Sequence, residues 1–414
     1  MLLKYNKKVC KINQSFAQFF VNFILGGLNR NNLFILGLLF HSFFEIPVNA
    51  SLIIMKSKYV VIMAGGIGSR FWPVSKSTYP KQFLDILGTG KTLIQQTFDR
   101  FRNVCPVENV FVVTNEAYRD IVKSQLPELA DYQILGEPVM RNTAPCIAYA
   151  SNKILKLDPL ATIIVTPADH LILKEEKFEE TILECVEKAS EKDYLITLGI
   201  VPTRPDTGYG YIQFNDLTLD SGFYKVKTFT EKPNAELAST FLKSGDFLWN
   251  AGIFIWSAAS IIKAFEKHLP DILEIFKDGK VFYNTSKEQD FIKQAYVQCT
   301  NISIDYGIME KANNVYVIPG DFGWSDLGTW GSVYTVKEKD EAGNTFIGSK
   351  KVMVIDSTNC IVNVPENKLV ILQGMDDYIV VESLDTLLIC KKEKEQLIKQ
   401  IVADVKQTYG ERYV

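Results

Sequence analysis

Lys58-Tyr59-Val60-Val61-Ile62-Met63-Ala64-Gly65-Gly66-Ile67-Gly68-Ser69-Arg70-Phe71-Trp72-Pro73 is the stretch that decides the fold. Tyr59 to Ala64 is a short apolar run rich in β-branched residues, which reads as a buried strand. It breaks at once into Gly65-Gly66-Ile67-Gly68. Glycines at such a turn permit positive φ and let backbone N–H groups approach a phosphate with no Cβ in the way. No Gly-Lys-Ser/Thr follows, so this is not a Walker loop, and the spacing is not the Gly-x-Gly-x-x-Gly of dinucleotide folds. Taken alone, Gly-Gly-x-Gly can be no more than a tight turn. Here the loop carries Arg70, and Pro80-Lys81-Gln82-Phe83-Leu84 follows it, so two cations stand near the glycines. Together they can neutralise a triphosphate.

Outward from this stretch, short apolar runs alternate with segments of helical period, the pattern of βα units. Strands are expected at Tyr59 to Ala64, Val110 to Thr114, Tyr132 to Leu135, Thr162 to Thr166 and Tyr194 to Gly199. Helices are expected at Thr92 to Arg102, Ala117 to Gln125, Pro145 to Lys156 and Glu175 to Lys192. The fold class is α/β, a Rossmann-like, mainly parallel sheet flanked by helices, with a small C-terminal all-β domain for which a β-helix-like form is one option. After Gly199, strand-like pieces at Tyr209 to Phe214, Tyr224 to Thr230 and Gly252 to Trp256 read as an antiparallel insertion that caps the sheet and holds a second substrate. Beyond Tyr334 come six short strands between Thr345 and Cys390, then an amphipathic helix, Lys391 to Gln407. Its Leu397, Ile401, Val402 and Val405 fall near one face, suited either to intramolecular packing or to a homodimer contact. The domains are expected at 55–335 and 340–414.

The chain has 414 residues, 47% of them hydrophobic, and a formal net charge of −3. That is enough for one large and one small core, and it excludes disorder. The charge balance excludes a general attraction for nucleic acid, so phosphate binding must be local. Seven scattered cysteines, without Cys-x-x-Cys pairing, read as free thiols in a reducing cytoplasm. The first 54 residues differ: five basic residues stand against Glu45 alone, amid Phe, Leu and Asn. Their longest apolar run, Leu33 to Phe40, is too short to span a membrane, so no membrane partner is expected. An extension upstream of a true start at Met55 is the simplest account. A membrane-associating segment is another, and a signal peptide cleaved near Val48-Asn49-Ala50 a third.

The pattern Ala-Gly-Gly-x-Gly-x-Arg-x-Trp-Pro followed by Pro-Lys-Gln-Phe-Leu resembles the signature of the sugar-1-phosphate nucleotidylyltransferases. Trp72 and Lys81-Gln82-Phe83 resemble the mannose-1-phosphate guanylyltransferase branch. Further matches follow in order: Glu137-Pro138, Arg141-Asn142-Thr143-Ala144-Pro145, Pro167-Ala168-Asp169-His170, Glu231-Lys232-Pro233, Trp249-Asn250-Ala251-Gly252, Ser303-Ile304-Asp305-Tyr306 and Gly323-Trp324-Ser325-Asp326-Leu327-Gly328. The resemblance implies transfer of GMP from GTP to mannose 1-phosphate, with Arg70, Lys81, Asp169 and Asp326 as the catalytic set. It implies nucleotide contacts from Ala64, Gly65, Gly66, Gly68, Ser69, Arg70, Arg141, Asn142 and Thr143, and sugar-phosphate contacts from Gly210, Glu231, Lys232 and Asn250. Many similar proteins carry a fused isomerase domain; with only the small β region after the transferase, no isomerase activity is expected.

The chemistry fits these residue types. Both reactants are anions, so neutralisation and positioning matter more than covalent catalysis. Asp169 and Asp326 supply hard oxygens suited to Mg2+, the one cofactor expected, and the resemblance implies that they hold it. Without a ligand, Asp169 reads as a helix N-cap, Asp326 as a turn residue, and Glu231-Lys232 as an exposed ion pair. Thr143 is a candidate cap for the helix that Pro145 begins. Asp305 and Tyr306 are expected to support the sugar site, and His170 is not expected to act as a base. Guanine needs an acceptor for N1–H and the 2-amino group, and no single residue can be named for it from the sequence. Other readings are a thymidylyl or uridylyl transferase acting on glucose 1-phosphate, and a catalytically silent subunit that only binds nucleotide sugar.

Overall fold

Lys58–Ala64 forms β1, at the middle of the parallel part of a large sheet, in a computed structural model that describes residues 57–219 and 222–414. The readings made for residues 1–54 lie outside the described residues. In chain order there follow β2 (Val110–Asn115), β3 (Ile134–Glu137), β4 (Thr162–Pro167), β5 (Leu171–Ile172), β6 (Leu195–Ile200), β7 (Gly210–Leu219), β8 (Phe223–Glu231), β9 (Phe247–Ser257), β10 (Val315–Gly320) and β11 (Trp324–Ser325). The nine-stranded sheet runs β3-β2-β1-β4-β9-β6-β10-β8-β7, and β5 pairs separately with β11. β1 is parallel to both neighbours, with Val61 opposite Phe111 of β2 and Val165 of β4.

The chain leaves β1 toward β2 and β3, then crosses back to β4 on the other side. The strand order therefore reverses beside β1, and the crevice outside the C-terminal ends at such a reversal is where open α/β sheets take ligands. Gly65 to Ser69 leaves β1 there, and Ala168 to His170 leaves β4. Alternate residues of β1 enter different cores. Tyr59 and Val61 join Phe111, Ile147 and Phe265 on one face. Val60 and Ile62 join Phe98, Ile164 and Ile182 on the other. Burial on both faces is why β1 reads as a continuous apolar run rather than an alternating one. Each fully buried aliphatic or aromatic side chain contributes about 1.5–3 kcal/mol.

The strands expected as a capping insertion belong to the sheet itself. β9 lies antiparallel between β4 and β6, and β8 and β7 extend the far edge. Ile253, Phe254, Ile255 and Trp256 of β9 are all buried, so only a central position covers both of its faces. Two local expectations also shift. Asp131–Gln133 forms a 3-10 turn, so the third strand begins at Ile134 rather than Tyr132. The helix Thr143–Leu157 is capped by Asn142, whose side chain accepts from Thr143 N at 2.9 Å. The Thr143 hydroxyl instead accepts from Ile304 N at 2.8 Å.

The C-terminal strands are β12 (Thr345–Gly348), β13 (Val352–Ile355), β14 (Ile361–Val364), β15 (Val370–Gln373), β16 (Tyr378–Ser383) and β17 (Thr386–Lys391). β12, β14 and β16 pair in parallel in one sheet, and β13 and β15 in another. Each turn of chain thus lays one strand on each sheet, which is β-helix geometry. Cys360, Val362, Val364, Leu372 and Val380 fill its interior. Ile347, Ile361 and Ile379 instead join Phe71, Trp72, Leu327 and Trp330 in a cluster shared with the loops around the crevice.

The final helix begins as a 3-10 segment, Lys392–Leu397, and becomes α-helical over Ile398–Tyr409. Ile398, Ile401, Val402 and Val405 pack into the cluster of Phe71 and Trp330, so this face is used within the molecule. Leu397 does not share it: the change of helical pitch leaves it exposed. Among the described residues no helix is long and apolar enough to cross a membrane.

Candidate active site

The glycine turn is shaped from below by the Pro-Lys-Gln-Phe segment. Gln82 Nε2 donates to Ala64 O at 2.9 Å, and Thr114 Oγ1 donates to the same oxygen at 2.8 Å, which pins the end of β1. Lys81 N donates to Ile67 O at 3.2 Å. Gly68 has φ 70°, and a Cβ there would lie 2.4 Å from Lys81 Cβ, so both conformation and space demand glycine. Gly65 and Gly66 do not have positive φ. Their role is space: a Cβ on Gly66 would meet nothing within 4 Å, leaving the backbone open to an incoming group.

Lys81 links the carboxylate of Asp169 to the main chain of Asp326. Its side chain is buried, and Nζ lies 3.0 Å from Asp169 Oδ2 and 2.8 Å from the carbonyl oxygen of Asp326. The antiparallel pairing of Ser325 with Leu171 brings the Asp326 loop alongside the Asp169 loop. Burial alone would lift the Asp169 carboxyl, but the charge of Lys81, with a smaller one from His170, holds it below its ordinary value. Asp169 is therefore ionised at neutral pH, with a third of its side chain exposed. Asp326 Oδ1 accepts from Tyr209 OH at 3.0 Å and from Gly328 N at 2.9 Å. It is a turn residue, but one braced from the start of β7 as well. His170 accepts from Trp324 Nε1 at 3.1 Å on Nδ1, and burial depresses its basicity, so a neutral imidazole fits its place.

Arg70 lies in the 3-10 turn Ser69–Phe71. Its Nε is buried without a hydrogen-bond partner among the described residues. A buried guanidinium N–H without an acceptor is costly unless an anion completes it.

A cavity of about 360 Å³ opens between the glycine turn and the Thr143 helix, lined by Gly65, Gly66, Glu137, Arg141, Asn142 and Asp169 among others. Glu137, to which sequence reading gave no role, is 5% exposed. Its Oε1 accepts from Tyr296 OH at 2.9 Å, while Oε2 lies toward Gly65. Burial pushes this carboxyl up to about 7, with the Tyr296 hydrogen bond opposing. The only sequence signal was its place at the head of the Glu-Pro…Arg-Asn-Thr motif. Arg141 is tethered through Nε to Tyr296 O at 3.3 Å.

A larger depression of about 800 Å³ lies at the opposite, N-terminal ends of β1 to β3, above the buried Lys153–Glu288 pair. Volume favours it, but none of the motif residues reaches it, and they gather at the smaller cavity instead.

The sugar-side residues also converge. Gly210 of β7 faces Glu231 of β8, and a Cβ on Gly210 would sit 2.5 Å from Glu231 Oε2, so the glycine admits that carboxylate. Asn250 of β9 lies beside them: its Nδ2 donates to Asp305 Oδ1 at 2.8 Å, and its Oδ1 accepts from Gly252 N at 3.0 Å. Asp305 is pushed up to about 6 by burial, and its hydrogen bond holds the Asn250 side chain. Tyr306 is exposed. Lys232 has φ 46°, and its exposed ammonium pairs with Glu231 at 2.7 Å. That is the surface ion pair considered as its alternative reading.

A doubly wound sheet whose reversal point gathers a glycine turn, an unpaired arginine and a lysine between two aspartates defines an enzyme that handles nucleotide phosphates. The chain belongs to the nucleotidyl transferase family, whose family model matches residues 59–343. A second model, the MannoseP isomerase/GMP-like beta-helix domain, matches residues 350–405. The chain is 39% identical over 359 residues to a mannose-1-phosphate guanylyltransferase of Salmonella montevideo, covering 84% of this chain and 73% of that protein. It is 37% identical over 360 residues to one of Klebsiella pneumoniae, covering 85% and 75%. Among solved structures it is similar to a mannose-1-phosphate geranyltransferase from Thermus thermophilus, with TM-score 0.76 and 29% identity, covering 84% of this chain and 99% of that one.

Proposed function

We propose that this nucleotidyltransferase moves GMP from GTP to mannose 1-phosphate, yielding GDP-mannose and pyrophosphate. The observation that carries the reading is the Lys81 bridge between Asp169 and Asp326 beside the open Gly65–Gly66 turn. A phosphate oxygen of mannose 1-phosphate forms a bond to the α-phosphorus of GTP. The bond from that phosphorus to the oxygen bridging to the β-phosphate breaks, and pyrophosphate leaves with the electron pair. The nucleophile is already ionised, so no base is needed, in keeping with a neutral His170.

In this reading Arg70 neutralises the outer phosphates and Lys81 the reacting one. Backbone N–H groups from Gly65 to Ser69 cradle the chain of phosphates, and Arg141, Asn142 and Thr143 border the nucleoside. Glu137 supplies the acceptor that guanine requires, since a carboxylate can take both N1–H and the 2-amino group. Gly210, Glu231 and Asn250 receive the hexose, and Lys232 reaches the sugar phosphate by leaving its ion pair. Residues 55–335 form the transferase in this division, and 340–414 the β-helix.

Asp169 and Asp326 would hold Mg2+. The fit rests on their donors: two hard carboxylates suit an ion that takes its remaining ligands from phosphate and water. Among the described residues no three acids, histidines or cysteines gather as a metal site, so the ion's shell would be completed by the substrates. When bound, it supplies positive charge to the phosphate oxygens. A cytoplasmic location follows from the need for GTP, and the cysteines of the described residues are free thiols. The test is radiolabelled pyrophosphate exchange into GTP with Mg2+ and GDP-mannose, followed by a panel of GTP, dTTP and UTP against mannose and glucose 1-phosphates. Exchange confined to GTP and mannose supports the reading. No exchange at all would sink it in favour of a binding subunit.

A further inference from the structure

Tyr209 stands where the sugar side of the crevice meets the Asp326 side. It precedes Gly210 at the head of β7, and Trp249 precedes Asn250 in β9, so each aromatic residue adjoins one proposed to receive the hexose. The Tyr209 ring meets Trp249 edge-on with centroids 5.0 Å apart, and it meets Trp324 in the same manner at 5.2 Å. Trp324 lies two residues before Asp326, and its Nε1 donates to His170, the neighbour of Asp169. One tyrosine ring thus packs against a tryptophan from each side of the crevice.

The hydroxyl of that ring reaches Asp326 itself. It donates to Oδ1 at 3.0 Å, and Gly328 N donates to the same oxygen at 2.9 Å. A turn carboxylate held by one backbone N–H alone can still rotate, and a second donor on a packed ring removes that freedom. The ring is held in turn from the loop after β6. The Arg204 guanidinium lies 5.8 Å from the centre of Tyr209 and 5.1 Å from that of Trp249, and it pairs with Asp206 at 2.7 Å. Carboxylates that ligate a metal depend on such outer hydrogen bonds, and losing one costs about 10- to 100-fold in metal affinity or activity.

We propose that Tyr209 is a positioning residue for the transfer reaction: its hydroxyl holds the Asp326 carboxylate in the orientation that takes a divalent cation, and its ring fastens that carboxylate to the strands that receive the hexose. Tyr209 acts through Asp326 and is not itself a ligand of the ion. This rests on the function proposed above, and the two fail separately. A wild-type protein that exchanges no pyrophosphate sinks the function, while an active one with unchanged metal affinity in Tyr209→Phe sinks this inference alone.

The experiment follows Mn2+ binding by electron paramagnetic resonance in the presence of GDP-mannose, with thermal unfolding and steady-state kinetics alongside. It compares wild type, Tyr209→Phe, Tyr211→Phe, Asp326→Asn and the double variant Tyr209→Phe/Asp326→Asn. Tyr209→Phe keeps the ring between the two tryptophans and removes only the hydroxyl. The expected result is roughly tenfold weaker Mn2+ binding and an equal rise in the Mg2+ concentration for half-maximal rate, with KM for mannose 1-phosphate and Tm unchanged. Tyr211, two residues on, gives its hydroxyl to Asp206 O at 2.9 Å, and Tyr211→Phe should bind Mn2+ as wild type does. In the Asp326→Asn background Tyr209→Phe should lower pyrophosphate exchange no further, because residues acting through one another are not additive. Wild-type Mn2+ affinity in Tyr209→Phe overturns the proposal, as does an active wild type that takes up no Mn2+. A raised KM for mannose 1-phosphate with unchanged Mn2+ binding would give the hydroxyl to the hexose, and equal weakening in Tyr211→Phe would assign the effect to loop packing; either result also overturns it.

Discussion

Replacing Glu137 by Gln should make the protein more stable and a poorer guanylyltransferase at once. The carboxyl is buried and pushed up from 4.5 to about 7, so between those pH values the folded chain holds a proton that the unfolded chain has released. An acid raised in this way contributes stability at low pH that is lost as pH rises from about 4.5 to about 7. At roughly 1.4 kcal/mol per tenfold, the displacement is worth about 3 kcal/mol. Glutamine has the same shape, still accepts from Tyr296 OH, and carries no charge to desolvate. Its stability should therefore match wild type near pH 4.5 and exceed it at pH 8 by up to about 3 kcal/mol. Thermal unfolding of both proteins at the two pH values reads this directly.

The functional half has the opposite sign. Guanine binding requires the ionised carboxylate, so wild-type affinity for GTP should strengthen as pH rises toward 7 and then level. Glutamine offers a donor where an acceptor is needed. Losing hydrogen bonds to a charged group costs about 1.5–3 kcal/mol, or roughly 10- to 150-fold in kcat/KM for GTP. ITP, which lacks the 2-amino group, should suffer less. A variant with wild-type kcat/KM for GTP would refute the assignment of Glu137 to the base. Equal stability gains at pH 4.5 and pH 8 would refute the account of its burial.

Asp169→Asn and Asp326→Asn should each lower pyrophosphate exchange by at least about 10²-fold while leaving the fold intact, judged by circular dichroism. Asp169→Asn should also leave buried Lys81 without its ion-pair partner, so its Tm should fall more than that of Asp326→Asn, whose bond to Lys81 is through the backbone. Gly68→Ala combines a left-handed φ with a 2.4 Å approach to Lys81 Cβ. Denaturant unfolding should show a loss of about 2 kcal/mol or more, and a loss below about 0.5 kcal/mol would contradict the packing described. Trp330→Ala removes a fully buried ring from the cluster shared by the crevice loops and the β-helix. It should cost about 3–5 kcal/mol and raise KM for GTP, whereas lost stability alone would mean that the cluster does not position the site.

Residues close in sequence were the legible ones. Apolar runs and a glycine turn are local, so the amino-acid order alone determined the βα alternation, the Gly65 loop, the two cations and both aspartates as candidates. It also marked the face of Ile401, Val402 and Val405, because helical period is a property of consecutive residues. Which partner that face meets was decided by the tertiary structure, and it was Phe71 and Trp330 of the same chain. The same holds for the places of β9, Glu137 and Tyr209. β9 enters the middle of the sheet because both its faces need cover, which depends on strands far away in the chain. Glu137 becomes a buried acid beside Gly65 only when Tyr296 closes over it, and Tyr209 meets Asp326 only after the sheet has brought the chain back. Desolvation and charge pairing depend on distances through space, and those distances exist only once the chain has folded.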